Sequence, residues 1–439
     1  MKVLIATMPF AGHINPAQPV ARALIRRGHA VAWLTSASHE HLVTPTGAAF
    51  FPSPAALARH DEIPLAPDPG TWGLAAVVST LRRLFLDRVP DQVAAYRAVL
   101  ATFDADVLLV DLGAYGAHCL RDLTGLPYAT LGINPLFTMD AEIPPWGTGW
   151  LPPKTFFGRW VNALTHTVAA QLIYTRLTAA LNGHRAAMGL PPLPALGFYD
   201  STRSDALHIM PTTPAFEFPR RNLHPGVRFV GPLLPLFNDD DEGDDGGGGG
   251  GTFSPPEWWG ELLAHPREKV VHVTQGTYAT NPANLIAPTL SALRYRPDLL
   301  VIATTRDAET LLAAGSLPAN ARVAPFVPHA RLLPHVGVMV TNAGYNGVLA
   351  ALSCGVPMVC AGRSEDKADV SSRVAWVGAG VDLRTDTPGE EALRDAVERV
   401  VSDGRFRKAV EAVRNDFARH DGPEEAVDEL EELVEKSRR

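Results

Sequence analysis

Two ionisable residues in the first half of the chain have the types and positions needed for proton transfer. His13 lies in the glycine-containing turn at 11–14, which follows an apolar run at 3–7 and precedes a helical pattern at 16–27. Asp111 ends a second apolar run, VLLVD. A carboxylate that faces an imidazole fixes its tautomer and stabilises the imidazolium ion, so the two residues form a candidate general-base pair. Two alternatives stay open: His13 as one incidental polar residue among 15 histidines, and Asp111 as a helix cap.

A turn in the second half of the chain has the features of a phosphate site. The apolar run at 337–341 leads directly into the small residues NAGYNG at 342–347 and then into a helical pattern. Such a turn leaves backbone N–H groups free at the positive end of a helix dipole, where a diphosphate fits. The loop QGT at 275–277 follows another apolar run and offers a further phosphate contact through a hydroxyl group. Each turn also has a steric alternative, because tight strand-to-helix turns use glycine in any case.

The elements that must position these residues alternate between strand and helix patterns in both halves. Short β-branched and apolar runs predict strands at 3–7, 30–35, 107–111, 128–132, 270–275, 299–304, 337–341 and 357–361. Helical patterns lie between them, for example at 16–27 and near 283–294, and a last helical segment covers 405–437. This order predicts the α/β class, with two doubly wound, Rossmann-like domains. Ligands of such sheets bind outside the carboxyl ends of the strands, where both candidate sites fall.

A break in composition predicts the domain division. Residues 239–251, DDDEGDDGGGGGG, are charged or glycine and have nothing to bury, which indicates a flexible connector and disfavours a metal-binding loop. We therefore expect an N-terminal Rossmann-like domain at 1–237, a linker at 238–252, a C-terminal Rossmann-like domain at 253–415 and a C-terminal helix at 416–439.

Charge and hydropathy exclude several classes of function. The net charge is −8, and no lysine or arginine cluster forms a stripe for a nucleic acid backbone. No window has the roughly twenty apolar residues that a membrane span needs, and the apolar start of the chain breaks at Pro9 without a cleavage site. We expect a cytoplasmic protein, a monomer or weak homodimer, without stable membrane insertion. The three cysteines have no metal-ligand spacing and are expected to be buried thiols.

Together these motifs make the sequence similar to the family-1 glycosyltransferases of the GT-B fold, which include bacterial macrolide-type and plant-type enzymes. The resemblance covers essentially the whole chain. The residues that carry it are Gly12-His13 with Pro16, Asp111, VGPLLP at 230–235, QGT at 275–277, FVPH at 326–329, LLPH at 332–335, the run from Thr341 through 342–347 to Ala351-Leu352, Gly355-Val356-Pro357, Glu365-Asp366-Lys367, Arg373 and Gly378-Ala379-Gly380.

The resemblance implies an inverting transfer of a hexose from a nucleoside-diphosphate sugar to a hydroxyl of a small hydrophobic natural product. His13 would remove the hydroxyl proton and Asp111 would balance the imidazolium charge. The nucleobase would stack on Phe326 with the Val327 backbone at its edge, and the sugar would meet Asp366 and Lys367. The donor-binding set is Gly12, Gly276, Thr277, Phe326, Val327, His329, Asn342, Gly344, Tyr345, Asn346, Gly347, Glu365, Asp366 and Lys367. No cofactor and no metal are required, because the phosphate charge is met by the helix N-terminus.

Four departures from the family pattern affect the donor. Asn342 stands where histidine is usual, Gly347 or Val348 where a serine or similar hydroxyl is usual, Ala350 where a glutamate holds the ribose hydroxyls, and Lys367 where glutamine is common. Because this contact to the ribose is lost, a dTDP-sugar, which contains deoxyribose, becomes a stronger candidate donor. A UDP-sugar remains the first expectation.

The acceptor is expected to occupy an apolar pocket. The segments 72–90 and 136–175 are richer in aromatic residues than a solvated connection needs, and ordinary core packing is the alternative. The candidate pocket residues are Trp72, Phe85, Phe137 and Trp146. Two other functions stay open: a non-catalytic nucleotide-sugar-binding partner, and another GT-B enzyme such as a nucleotide-sugar epimerase. All of this requires His13 and the turn at 342–347 to face each other across one cleft.

Overall fold

A computed structural model describes residues 1–58, 72–136, 139–201, 203–235, 253–276, 281–313 and 317–439. Two separate parallel β-sheets, one from each half of the chain, have helices on both faces. The α/β class and the doubly wound arrangement expected from the sequence are therefore confirmed. The linker expected at 238–252 lies outside the described residues, and the domain limits remain predictions.

The first sheet has seven strands in the order β3-β2-β1-β4-β5-β6-β7. Its strands are β1 (Lys2–Ala6), β2 (Ala30–Thr35), β3 (Ala49–Pro52), β4 (Val107–Asp111), β5 (Tyr128–Leu131), β6 (His208–Met210) and β7 (Val227–Phe229). The helices of this half are α1 (Ala11–Ile14), α2 (Ala17–Arg26), α3 (Glu40–Val43), α4 (Ala55–Ala58), α5 (Gly73–Leu81), α6 (Val89–Leu100), α7 (Gly116–Thr124), α8 (Phe156–Ala169), α9 (Thr175–Ala187) and α10 (Gly197–Asp200). Single π-helical turns at Arg82–Leu86 and Ala170–Tyr174 continue α5 and α8.

The second sheet has six strands in the order β10-β9-β8-β11-β12-β13. Its strands are β8 (Val270–Thr274), β9 (Leu300–Thr304), β10 (Ala321–Ala324), β11 (Val338–Thr341), β12 (Met358–Cys360) and β13 (Gly380–Asp382). The helices are α11 (Trp259–Ala264), α12 (Ile286–Leu293), α13 (Ala308–Ala313), α14 (His329–Leu332), α15 (Tyr345–Ser353), α16 (Lys367–Trp376), α17 (Glu390–Ser402), α18 (Gly404–Phe417) and α19 (Gly422–Arg438).

Each sheet has one point at which the strand order reverses. In the first sheet β1 pairs in parallel with both β2 and β4, and in the second β8 pairs with both β9 and β11. The central strands are buried on both faces because helices cover both, which explains their continuous apolar sequences. A crevice opens beyond the carboxyl ends of the strands at such a reversal, so ligands are expected at these two edges.

The end of the chain returns to the first half. The segment with a helical pattern at 405–437 forms two helices, and the second, α19, packs against α2. Val427 and Leu430 join the hydrophobic core that contains Leu24, and Arg27 forms ion pairs with three acidic side chains of α19. The last helix thus ties the two halves together. Within the described residues no helix is long and apolar enough to cross a bilayer.

Candidate active site

His13 and Asp111 meet at the reversal point of the first sheet. Asp111 is the last residue of β4, and His13 lies in α1, which follows the neighbouring strand β1. The Nδ1 atom of His13 lies 3.0 Å from Oδ2 of Asp111. The His13 side chain is about one-fifth exposed (18%), whereas the Asp111 side chain is fully buried. The sequence-predicted pair therefore forms, with its imidazole open to the cleft.

Asp111 is held in its ionised form by its neighbours. Burial alone raises the pKa of this carboxyl, but the charge and hydrogen bond of His13 and two backbone N–H groups outweigh burial and bring the pKa below its ordinary value. The two N–H groups belong to Met8, which donates to Oδ2 at 2.6 Å, and to Gly113, which donates to Oδ1 at 2.8 Å. An ionised carboxylate can only accept hydrogen bonds, so Nδ1 of His13 is the donor and Nε2 carries the lone pair.

The turn at 342–347 lies at the reversal point of the second sheet. Gly344 has extended dihedral angles at the N-cap of α15, and no side chain caps the helix. The first N–H groups of α15, at 345–347, therefore lack intrahelical acceptors and are available to an anion. The amide of Asn342 donates to the carbonyl of Gln275, which joins the turn after β11 to the turn after β8. Thr277, predicted as a phosphate contact, lies outside the described residues.

Backbone strain is concentrated around this turn. Three non-glycine residues among those described have φ in the left-handed region, and two of them, Ala343 (φ 61°) and Glu365 (φ 56°), flank the predicted donor site. Gly362 packs so closely that a Cβ there would lie 2.1 Å from the Asn342 carbonyl oxygen. Such conformations cost free energy and cluster at functional sites, where the surrounding structure holds them in place.

The two reversal points face each other across one cleft. The side-chain amide of Asn346, in the first turn of α15, donates to the backbone carbonyl of Gly12 at 3.0 Å. Gly12 is the residue before His13, and the space where its Cβ would project is open. The N-terminal end of α15 therefore lies next to the loop that carries the imidazole, as the predicted cleft requires.

The residues predicted around the nucleoside lie at the end of β10. Phe326 is 41% exposed, so its ring is free to stack, whereas the Val327 side chain is buried and only its backbone is available. His329 is half-buried, and burial lowers its pKa to about 4, which keeps the ring neutral. Its ring stands edge-to-face against that of buried His272, and Gly347 lies next to it.

The segment 365–367 precedes and begins α16. The ammonium group of Lys367 lies 2.5 Å from a carboxylate oxygen of Glu365, so this cation is already paired. Burial raises the pKa of Asp366 to about 7, and the charge of Lys367 offsets only part of that effect. The three side chains thus present one ion pair and one carboxyl that changes charge near neutral pH.

Other predicted residues lie elsewhere. The Tyr345 ring is buried in the core of the second half, so only its backbone faces the cleft. Phe85 packs in the core of the first half with Tyr115, whereas Trp72 is exposed. Phe137 lies outside the described residues. Trp146 lines a small pocket between the halves together with His166, Tyr174, Asp369 and Arg373.

Sequence reasoning missed a bridge between the halves. Both carboxylate oxygens of Asp369, in α16, accept backbone N–H groups of the N-terminal half: Gly147 at 2.6 Å and Gly149 at 3.0 Å. The guanidinium of Arg373 bonds to the buried carboxylate of Glu217 at 2.9 Å. These partners are more than 150 positions apart, so no local pattern could have indicated them.

A second small cavity lies at the strand ends of the first sheet and was also not predicted. It is bounded by the carboxyl ends of β1 and β2 and by α4 and α6, with Met8, Leu57 and Tyr96 among its lining residues. Met8 is the residue whose N–H group bonds to Asp111, so the cavity opens next to the pair. The sequence does carry a signal for this cavity, since the residues that follow β1 lie at the same edge of the sheet as His13.

Comparisons with known proteins agree with this geometry. A family model described as the C-terminal domain of erythromycin biosynthesis protein CIII-like proteins matches residues 296–433. The 4'-demethylrebeccamycin synthase of Lentzea aerocolonigenes is 36% identical over 438 residues, covering 99% of each chain. The UDP-glucosyltransferase avaP of Aspergillus versicolor is 30% identical over 465 residues, covering 99% of this chain and 97% of its own.

Solved structures share the fold at lower identity. The kitacinnamycin glycotransferase superposes with a TM-score of 0.75 at 22% identity over 99% of both chains. The spinosyn rhamnosyltransferase SpnG complexed with thymidine diphosphate has a TM-score of 0.69 at 20% identity, over 98% of this chain and all of its own. Sequence identity with the first relative is above one-third across nearly the whole of both chains. The protein is therefore a glycosyltransferase and belongs to the family-1 enzymes of the GT-B fold, which include the UDP-glycosyltransferase and macrolide types.

Proposed function

We propose that the enzyme transfers a hexose, with inversion, from a nucleoside-diphosphate sugar to a hydroxyl of a small apolar natural product. The observation that carries this proposal is the hydrogen bond from Asn346 to Gly12, which sets the anion-binding end of α15 beside the loop of His13. A donor whose diphosphate lies at that helix end has its anomeric carbon within the same cleft as the imidazole.

His13 acts as the general base. Because its Nδ1–H bonds to ionised Asp111, Nε2 is the nitrogen that takes the proton from the acceptor hydroxyl. The acceptor oxygen then forms a bond to the anomeric carbon as the bond to the diphosphate breaks on the opposite face, and the electron pair leaves with the diphosphate. The Asp111 carboxylate stabilises the imidazolium that results.

The departing diphosphate meets the end of α15. The N–H groups of 345–347 and the positive end of the helix dipole face the charge as it develops, and they need no reorganisation during the reaction. Gly276 and Gly344 allow the phosphates to approach the backbone. In this proposal no metal ion and no cofactor take part. Lys367 lies near the sugar, and its ammonium group is paired with the carboxylate of Glu365.

The nucleoside stacks on Phe326, whose exposed ring is the aromatic surface at this edge. We place UDP-sugars first and dTDP-sugars second. Relatives named UDP-glucosyltransferases support the first, and the SpnG complex with thymidine diphosphate supports the second. The neutral ring of His329, which lies beside Gly347, can donate or accept a hydrogen bond with a hydroxyl of the nucleoside sugar in both UDP- and dTDP-sugars.

The acceptor fits best in the cavity beside Met8, Leu57 and Tyr96. Its lining is mostly apolar, and it opens at the carboxyl end of β1, where it includes Met8, whose N–H group bonds to Asp111. The name of the rebeccamycin-type relative supports a natural-product acceptor. The pocket residues expected from the sequence stay predictions, and Trp146 lines a pocket together with Asp369 and Arg373 of the second half.

Thermal unfolding with and without nucleotides tests the donor. A donor that binds the folded state raises the midpoint in proportion to the logarithm of its concentration over its Kd. We expect UDP to stabilise the enzyme more than dTDP, and equal or absent stabilisation would overturn the ranking. His13→Ala should keep this stabilisation and lose turnover with an acceptor panel followed by mass spectrometry. Retained turnover would contradict the role of the imidazole.

A further inference from the structure

Helix α8 has its apolar side facing outward. Asn162 is its one buried residue among those described, and its side-chain amide donates to the carbonyl of Ala141 at 3.3 Å. His166 lies on the same inward side and contacts the carbonyl of Ile143 at 3.0 Å. The outward side carries Phe156 (80% exposed), Phe157 (69%), Trp160 (54%), Leu164 (48%) and Val168 (47%), which we call the apolar stripe.

The spacing makes the stripe continuous. Positions 156, 160, 164 and 168 repeat every four residues, and at about 100° per residue all five side chains fall within an arc of about 120°. The rings of Phe157 and Trp160 stack at 5.9 Å. A surface helix normally buries such a face and exposes its polar residues, so α8 has the reverse of the usual arrangement. A contiguous exposed apolar surface of this kind marks an interaction site.

The charge around the stripe is opposite to that of the whole protein. The chain carries a net charge of −8, yet residues 143–199 contain no aspartate or glutamate. Lys154 and Arg176, at the two ends of the helical segment, are exposed, and Arg159 lies between them in the first turns of α8. An exposed aromatic face on a segment that itself carries basic side chains and no acidic ones is complementary to an anionic lipid surface.

We propose that the apolar stripe docks α8 flat on an anionic membrane surface. The phenylalanine and tryptophan rings enter the boundary between headgroups and acyl chains, and the three basic side chains meet lipid phosphates. A second copy of this chain is a poorer occupant, because stripe-to-stripe contact would bring the same basic side chains together.

Docking would also bring the cleft close to the lipid. The inward residues Asn162 and His166 hold the segment 141–143, which leads into the loop that Asp369 binds at Gly147 and Gly149. An apolar acceptor that partitions into the bilayer would then be released next to the site. This consequence, unlike the docking itself, rests on the proposed acceptor class.

Co-sedimentation of the full chain with vesicles tests the proposal without donor or acceptor. We expect binding to phosphatidylcholine vesicles with about one-third phosphatidylglycerol, and weaker binding at high salt. The triple variant Phe156→Ser, Phe157→Ser, Trp160→Ser should lose binding at least about tenfold. Exchange of Lys154, Arg159 and Arg176 for glutamine should weaken binding by about fivefold for each charge on anionic vesicles, with no effect on phosphatidylcholine alone.

A matched control uses equally exposed residues of the other half. Leu263→Ser, Tyr295→Ser and Leu312→Ser remove comparable exposed apolar surface and should leave vesicle binding unchanged, with far-ultraviolet circular dichroism reporting the fold of every variant. Absence of wild-type binding to anionic vesicles, or an equal loss in the control, would overturn the proposal. A wild-type dimer in light scattering that the stripe variant converts to a monomer would assign the stripe to self-association instead. None of these outcomes depends on whether sugar transfer is observed.

Discussion

Replacement of Asp111 by asparagine tests the proposed base directly. The substitution keeps the shape of the side chain but removes its charge and one of its two acceptor atoms. In the native enzyme Oδ2 accepts from His13 and Met8, and Oδ1 accepts from Gly113. In the least disruptive orientation the new NH₂ group replaces Oδ1 and faces the N–H group of Gly113, so one buried donor loses its acceptor.

The magnitudes follow from these contacts. One buried N–H group without an acceptor costs about 1–3 kcal/mol, so the free energy of unfolding should fall by that amount. His13 would keep a neutral acceptor, but the imidazolium formed during transfer would lose its counter-charge at 3.0 Å. We expect kcat to fall by about 10²- to 10⁴-fold, which corresponds to about 3–5 kcal/mol in the activation free energy.

The assay is a kinetic cycle with Asp111→Asn, His13→Ala and the double variant, at saturating donor. If the two residues act as one unit, the double variant should be about as slow as His13→Ala alone. Nucleotide-induced thermal stabilisation should persist in all three, because the donor turn lies in the other half. A kcat of Asp111→Asn within about threefold of wild type, or fully additive losses, would refute the base assignment.

Three further predictions concern the second half and its contact with the first. Since burial places the pKa of Asp366 at about 7, its ionised form, the better acceptor for sugar hydroxyls, dominates only above that pH, and the donor KM should fall as pH rises through 7. Gly362→Ala should lower nucleotide affinity and the unfolding midpoint, because the new Cβ would overlap the carbonyl of Asn342. Asp369→Asn should speed amide hydrogen exchange in the loop at 144–150 by about tenfold or more.

Each of these has a matched control. Asp366→Asn should abolish the pH dependence of the donor KM, and a dependence that persists would assign it to another group. Gly260→Ala, in α11 where a Cβ has open space, should leave nucleotide affinity unchanged and should not lower the unfolding midpoint, because alanine favours a helix; an equal loss would exclude a steric cause. Asp403→Asn makes the same change at a carboxylate that accepts the Arg405 N–H group at the start of α18, and exchange at 144–150 should stay slow.

The central strands could be predicted closely because parallel strands buried on both faces are continuous apolar runs. The expected limits of β2 and β4 match the observed strands, and the reversal rule placed His13, Asp111 and the turn at 342–347 at the correct edges. The shorter outer strands could not be found. Strands β6 and β7 have three residues each, which is too few for a period, and their polar residues hide the pattern.

The orientation of α8 shows a different limit. Its aromatic residues indicated either a core or a pocket, since burial of the apolar side is the usual result. The structure instead satisfies its inward polar side with backbone carbonyls of the preceding segment, for example that of Ala141 for Asn162. Periodicity identifies the two faces of a helix, but the tertiary partners decide which face turns inward.

Donor selectivity follows from which groups do the binding. In the proposed donor site, backbone N–H groups of 345–347 hold the diphosphate, and Asn342 contributes by tying its turn to Gln275, so phosphate recognition would not depend on a histidine at position 342. The nucleoside sugar would depend on side chains instead. Ala350→Glu introduces the carboxylate that the family resemblance predicts at the ribose hydroxyls, so the ratio of Kd values for dTDP and UDP should rise about tenfold, because deoxyribose offers one hydroxyl fewer. Ala350→Gln is the control, because it adds a side chain of nearly the same shape without the negative charge. An unchanged ratio in thermal titrations would place ribose recognition elsewhere, with His329 the next residue to exchange.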